Sequence, residues 1–129
     1  MESLYPLLHD LHVYLSRVGL IIGVGMFGIA IFIGLIRHGD VNKWFLAATY
    51  TTIILMGLQA LVGLAIYSTG ARPFEEVHLI YGVGVVCSLP FFVYVERTAK
   101  KRPAMGSYMW AFALLAAIIL RAIVTGNPG

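Results

Sequence analysis

Four long apolar runs constrain this chain more than anything else in it. They cover about residues 11–36, 44–67, 77–95 and 107–124, and residues 18–36 carry no charged side chain at all. Each is close to the roughly 20 residues that a helix needs to cross a bilayer. In lipid every backbone polar group must be satisfied internally, so only helices and closed barrels span it. The runs are continuous and lack the two-residue alternation of a barrel strand. Composition points the same way. Of 129 residues, 60% are hydrophobic and 12% charged, with a mean hydropathy of +0.87. A soluble domain is roughly 45–50% apolar, and a soluble chain this small has no core large enough to hide the excess. A soluble globular domain and a disordered chain are both excluded.

The expectation is therefore an all-α integral membrane protein, a single four-helix domain over residues 1–129. The connections 37–43, 68–76 and 96–105 are short. Short connections make consecutive helices antiparallel, giving an up-down-up-down bundle. The N-terminus, Met1-Glu2-Ser3, lacks a basic region, so the first run reads as a retained helix and not a signal peptide.

A net charge of +3 and a pI near 9.2 do not signal nucleic acid here, because the basic residues sit in short loops between apolar runs. Arg37 and Lys43 occupy the first loop, and Arg97, Lys100, Lys101 and Arg102 the third. Six of the nine basic side chains thus share one side, which the positive-inside rule makes cytoplasmic. Both termini then lie outside, with the second loop and its Arg72, Glu75 and Glu76. A plasma (inner) membrane location is expected. The single cysteine, Cys87, excludes an intrachain disulfide and reads as a small apolar core residue. No Cys-x-x-Cys-His occurs, so covalent c-type haem attachment is excluded.

Histidine carries the functional information. His12 opens the first helix and His78 the third. Those helices run in the same direction, so both side chains lie at one depth on the outer side. In an up-down bundle they stand on diagonal helices, the arrangement that clamps a haem iron. His38 lies at the opposite edge. At helical spacing His12 is followed on its face by Ser16, Gly19 and Gly23, and His78 by Gly82. Small residues leave room for a flat porphyrin, and they also allow close helix packing. Arg17 and Arg121 sit near the same level and are candidates for the anionic haem propionates, with snorkelling to headgroups as the alternative. A zinc site drawing on His9, His12, His78 and Glu75 or Glu76 is a further alternative. His9 reads as an interfacial residue. Gln59 and the hydroxyls of Thr49, Thr51 and Thr52 read as interhelical hydrogen-bonding groups. Mid-membrane carboxylates that would mark an ion path are missing from the apolar runs. Nucleophile-elbow, zinc-protease and phosphate-loop motifs are also missing.

The stretch Leu58-Gln59-Ala60-Leu61-Val62-Gly63, then Tyr67-Ser68-Thr69-Gly70, then Val77-His78-Leu79 resembles one half of a haem A synthase. In each half of that family a Gln-x-x-x-Gly helix leads through a Thr-Gly or Ser-Gly loop into a helix headed by a ligand histidine. The chain also resembles small four-helix membrane proteins of the b-type cytochrome kind. The resemblance covers most of the chain, from about His12 to the end of the fourth helix. It implies that His12 and His78 match the haem ligands and that Gln59 and Gly63 line the site from helix 2. The chain is about half the length of a synthase. His9 also stands where the catalytic half of that family has a glutamate.

Two classes of function follow. The first is a b-type cytochrome holding haem B, or a modified haem, and exchanging electrons with a quinone, a periplasmic carrier or a larger complex, as a homo-oligomer or a subunit. The second is a haem-free accessory subunit, with Gly23, Gly28 and Ala30 as a contact face. A half-size haem-modifying enzyme working as a dimer is a third reading, and an electron-transfer role is favoured over a stand-alone enzyme.

Overall fold

A computed structural model describes residues 4–72, 76–99 and 105–126. Helix α1 spans Leu4–Ile31 and continues through a π-helical turn at Phe32–Ile36; α2 spans Lys43–Ser68, α3 Val77–Ala99 and α4 Met105–Gly126. No strand occurs among the described residues. All four helices are long and apolar enough to cross a membrane. The protein is an all-α integral membrane four-helix bundle.

The helices form a square. α1 packs on α2 and α4, and α3 packs on α2 and α4, so α1 and α3 face each other across one diagonal. Small residues bring α1 onto α4. A Cβ on Gly23 would stand 3.4 Å from the Ala116 Cβ, and Ala30 is fully buried. Gly23 and Ala30 therefore serve packing inside the bundle; Gly28 alone of that expected contact face looks outward, with open space around it. The core is closed by aromatic edges, with Phe45 against Tyr108 and Phe112 at 5.6 and 5.8 Å between ring centres. Outward faces carry Ile21, Leu58, Leu64, Ile80 and Val83, as lipid contact requires. Trp44 and Trp110 are exposed at the end that holds the first connection, where an aromatic belt would meet the headgroups.

Polar groups close that end. Asn42 caps α2, its side-chain oxygen accepting from the Phe45 N–H at 2.8 Å. Asp40 accepts from the N–H of Val41 at 2.8 Å and of Met105 at 2.9 Å, tying the first connection to the start of α4. His38 takes a positive φ of 54° just past the π turn, a conformation that ends the helix. At the other end Gly70, with φ of 99°, turns the chain out of α2.

Several expectations need adjustment. α1 begins by Leu4, more than a turn before the expected start near residue 11, because Leu4, Leu7 and Leu8 prolong the apolar run past the charged Asp10. α3 continues to Ala99, so Glu96 is helical and buried instead of lying in a loop. A charged side chain near a helix end does not break the backbone ladder; it only has to be turned. Cys87 is exposed on its helix and not a core residue. Thr49, Thr51 and Thr52 each donate to the carbonyl four residues earlier in their own helix, so they do not bridge helices. Glu75, Lys100, Lys101 and Arg102 lie outside the described residues.

Candidate functional site

His12 sits two turns into α1 and His78 is the second residue of α3. Although those helices do not pack directly, the two imidazoles reach across the diagonal and meet. Their ring centres are 6.1 Å apart and their planes are inclined at 79°. Antiparallel topology is what sets them level, since each stands near the same end of a helix running in the same direction.

The His78 ring is held from behind. His78 Nδ1 lies 2.7 Å from the carbonyl oxygen of Ala122 on α4, with the Thr125 hydroxyl at 3.3 Å. A carbonyl only accepts, so Nδ1 carries the hydrogen and, in the neutral ring, the lone pair sits on Nε2. Thr125 donates its own hydrogen to the Arg121 carbonyl at 2.9 Å, which leaves its oxygen free to accept from the ring. On the other side, Gln59 Nε2 donates to the main-chain carbonyl of His12 at 2.9 Å. That bond fixes which way the amide faces. It leaves Gln59 Oε1 buried without a hydrogen-bond partner, and His12 Nδ1 is in the same condition.

Glycine makes space for both rings. A Cβ on Gly63 would stand 3.1 Å from His12 Cε1, and one on Gly126 would stand 2.8 Å from His78 Cε1. Both distances are shorter than ordinary contact, so a side chain at either position would press on an imidazole. Beside the rings lies a cavity of about 390 Å³ with walls from all four helices, His12, Gln59, Gly63, His78, Gly82 and Arg72 among them. This is the size of a small-molecule or cofactor site. A Cβ on Gly82 would meet open space.

The cation at the cavity is Arg72. Its guanidinium lies 3.7 Å over the Tyr67 ring and donates to the carbonyls of Tyr67 and Ala71, both at 2.9 Å. Arg17 and Arg121, the expected anion partners, are both exposed, and neither is among the residues that line the cavity. Arg17 is five residues beyond His12, which turns it about 140° around the helix. Arg121 lies 5.8 Å from the Tyr81 ring centre instead. Gly19 shares His12's face, yet it is two turns deeper and is covered by Met56 and Ile119, so it packs helices and does not line the space. Gln59, Gly63 and Gly82 do line it.

Comparison with protein-family models, curated proteins and solved structures yields no match to this chain. Its chemistry is therefore read from the donors present. Among the described residues no group of three or more His, Cys, Asp or Glu side chains converges. His9 lines the cavity, but it sits 3.8 Å from Asp10 and against Tyr5. The expected four-donor zinc set does not come together there. What remains is a pair of imidazoles, one with its tautomer fixed, beside a mostly apolar cavity with one cation.

Two lining residues escape sequence reasoning. Gly126 lies past the expected end of the fourth helix, and Arg72 lies in a connection where no periodicity reports direction. A Gly two residues before a Pro is a weak signal, but it is the one that marks Gly126.

Proposed function

We propose that this protein is a membrane b-type cytochrome in which His12 and His78 hold one haem between α1 and α3. The observation that carries the reading is the meeting of two imidazoles across a diagonal whose helices make no close backbone approach among the described residues. Imidazoles on opposite sides of one metal, each about 2.0 Å from it, have ring centres roughly 6 Å apart. The separation of 6.1 Å fits that span. The hydrogen bond from His78 Nδ1 to Ala122 is the second-shell contact that ligating histidines usually make. Gly63 and Gly126 leave the rings room, and the cavity beside them suits a flat, largely apolar group.

Haem B, or a modified haem, held by His12 and His78 would supply one-electron iron chemistry. The protein's own part is to orient two ligands, exclude water and place a cation. Arg72 stands where a propionate would need one. Gln59 holds the α1 backbone at His12. Under the positive-inside rule the histidine end faces outward from the plasma membrane. Electrons would then pass to or from a periplasmic carrier, a quinone or a partner complex, with the chain acting as an oligomer or subunit.

The test is a reduced-minus-oxidised absorption spectrum of the purified protein beside His12→Ala and His78→Ala. A sharp low-spin spectrum that turns high-spin or vanishes in each variant supports the cytochrome. A folded but colourless protein, made with ample haem, sinks it and leaves an accessory subunit. An altered haem in extracts of expressing cells would instead favour a haem-modifying enzyme.

A further inference from the structure

At the end of the bundle away from the histidines, a groove of about 410 Å³ lies between α2 and α3. Its walls include Ile53, Pro90, Val93 and Tyr94, and its polar edge is Arg97 with Tyr50. Arg97 Nη1 donates to the Tyr50 hydroxyl at 3.1 Å. That partner is neutral, and among the described residues no carboxylate stands within ion-pair distance of the guanidinium. Glu96, next in the chain, is only 8% exposed and its Oε2 has no hydrogen-bond partner. Since the Tyr50 oxygen accepts from Arg97, its own O–H remains to be donated. The groove therefore offers two donors, one of them a guanidinium, above an apolar trough.

The surroundings select the ligand. Arg37 and Lys43 are exposed at this same end, resting over Phe32 and Trp44. Trp44 and Trp110 are exposed here, at the level where headgroups begin. A basic pocket between membrane helices at headgroup depth is the setting in which anionic lipid headgroups bind. We infer that this groove is a binding site for an anionic phospholipid. Its phosphate takes the Arg97 and Tyr50 donors, and an acyl chain lies along Ile53, Pro90 and Val93. A guanidinium suits phosphate because its planar N–H fork matches two oxygens at once. A quinone presents no charge to balance Arg97 and is the weaker fit.

The experiment is native mass spectrometry of the detergent-purified protein. It is offered phosphatidylglycerol, phosphatidylcholine and menaquinone at equal concentration. Wild type should retain one phosphatidylglycerol with roughly tenfold preference over phosphatidylcholine. Arg97→Gln should remove that preference, Arg97→Lys should weaken it a few-fold, and Tyr50→Phe should weaken it about threefold. Lys43→Gln, which removes a charge at the same end but outside the groove, should leave it unchanged. Equal retention of both lipids overturns the proposal. So does an equal loss in Arg97→Gln and Lys43→Gln, which would mean diffuse charge and not a site. Displacement of the lipid by menaquinone, dependent on Arg97, would overturn it in favour of a quinone site. The conservative Lys and Phe variants keep the test open if Arg97→Gln fails to fold. Lipid retention at this end is read independently of any haem spectrum.

Discussion

Gln59 on α2 donates its side-chain amide to the main-chain carbonyl of His12 on α1, at 2.9 Å. The bond is made between two helices that are each apolar enough to cross a membrane. It joins the helix that supplies one imidazole to the neighbour that supplies Gly63, against which the same imidazole rests. It also couples two separate functions of the residue, packing α1 on α2 and holding the His12 turn in register with the cavity. Gln59→Leu should therefore destabilise the bundle by about 0.6–2 kcal/mol, the range found for interhelical hydrogen bonds in membranes. Unfolding in graded denaturing detergent measures this. A Leu variant as stable as wild type would show that the bond is energetically idle.

The glycines behind the rings make a sharper test. Gly126→Ala places a methyl 2.8 Å from His78 Cε1, and Gly63→Ala places one 3.1 Å from His12 Cε1. Overpacking of this kind costs typically about 1–3 kcal/mol, and the cost should be larger at Gly126. Gly57 is the control, since nothing lies within 4 Å of a Cβ there. Gly57→Ala should be neutral or slightly stabilising, by up to about 1 kcal/mol from helix propensity. Thermal unfolding of the three variants in one detergent gives the order. The expected ranking is Gly126→Ala least stable, then Gly63→Ala, then Gly57→Ala.

The contrast between these glycines shows what a sequence of this kind discloses. Apolar length specifies helix number, and short connections specify antiparallel order, because both follow from bilayer thickness and backbone satisfaction. The level pairing of His12 and His78 follows from the same topology. Helix phase was legible where spacing from a known residue was short: Ser16, four residues past His12, does line the cavity, while Gln59, which also lines it, follows from the family resemblance and not from spacing. Depth alone does not place Arg17, whose five-residue step turns it away, and phase alone does not place Gly19, which lies where Met56 already fills the space. Glu96 was read as a loop residue because charge mimics a boundary, yet helical hydrogen bonding continues past it to Ala99. Arg72 sits in a turn set by Gly70 and by its own bonds to Tyr67 and Ala71, and no periodic pattern encodes that.

Asp40 links the first connection to the last helix, and the link is separable from the cavity. Its Oδ1 accepts from the Met105 N–H at the start of α4, as an N-cap side chain does, although it comes from a distant part of the chain. It also accepts from Val41 at 2.8 Å. Asp40→Ala should cost about 1 kcal/mol, the usual loss of a cap, and Asp40→Asn should recover much of it because an amide oxygen still accepts. Hydrogen exchange at the first turn of α4 should rise in the Ala variant. Protection unchanged at Met105 would show that the contact does not hold the helix start.

Arg72 separates the two candidate anion partners that sequence reading proposed from the one the cavity presents. If the cavity holds a haem as proposed, removing a cation beside it disfavours the added electron, so Arg72→Gln should lower the midpoint potential. A shift on the order of tens of millivolts is expected if the charge acts from several ångströms away through a partly screened medium. Haem retention should fall as well, because a propionate would lose its charged partner. Arg17→Gln and Arg121→Gln, both outside the cavity lining, should leave potential and retention near wild type. Redox titration of the three variants under one set of salt conditions makes the comparison. Equal shifts in all three would mean that the haem senses the general surface charge and that Arg72 has no particular role. A shift confined to Arg17 would place the anionic groups of a bound haem on the α1 side, away from Tyr67.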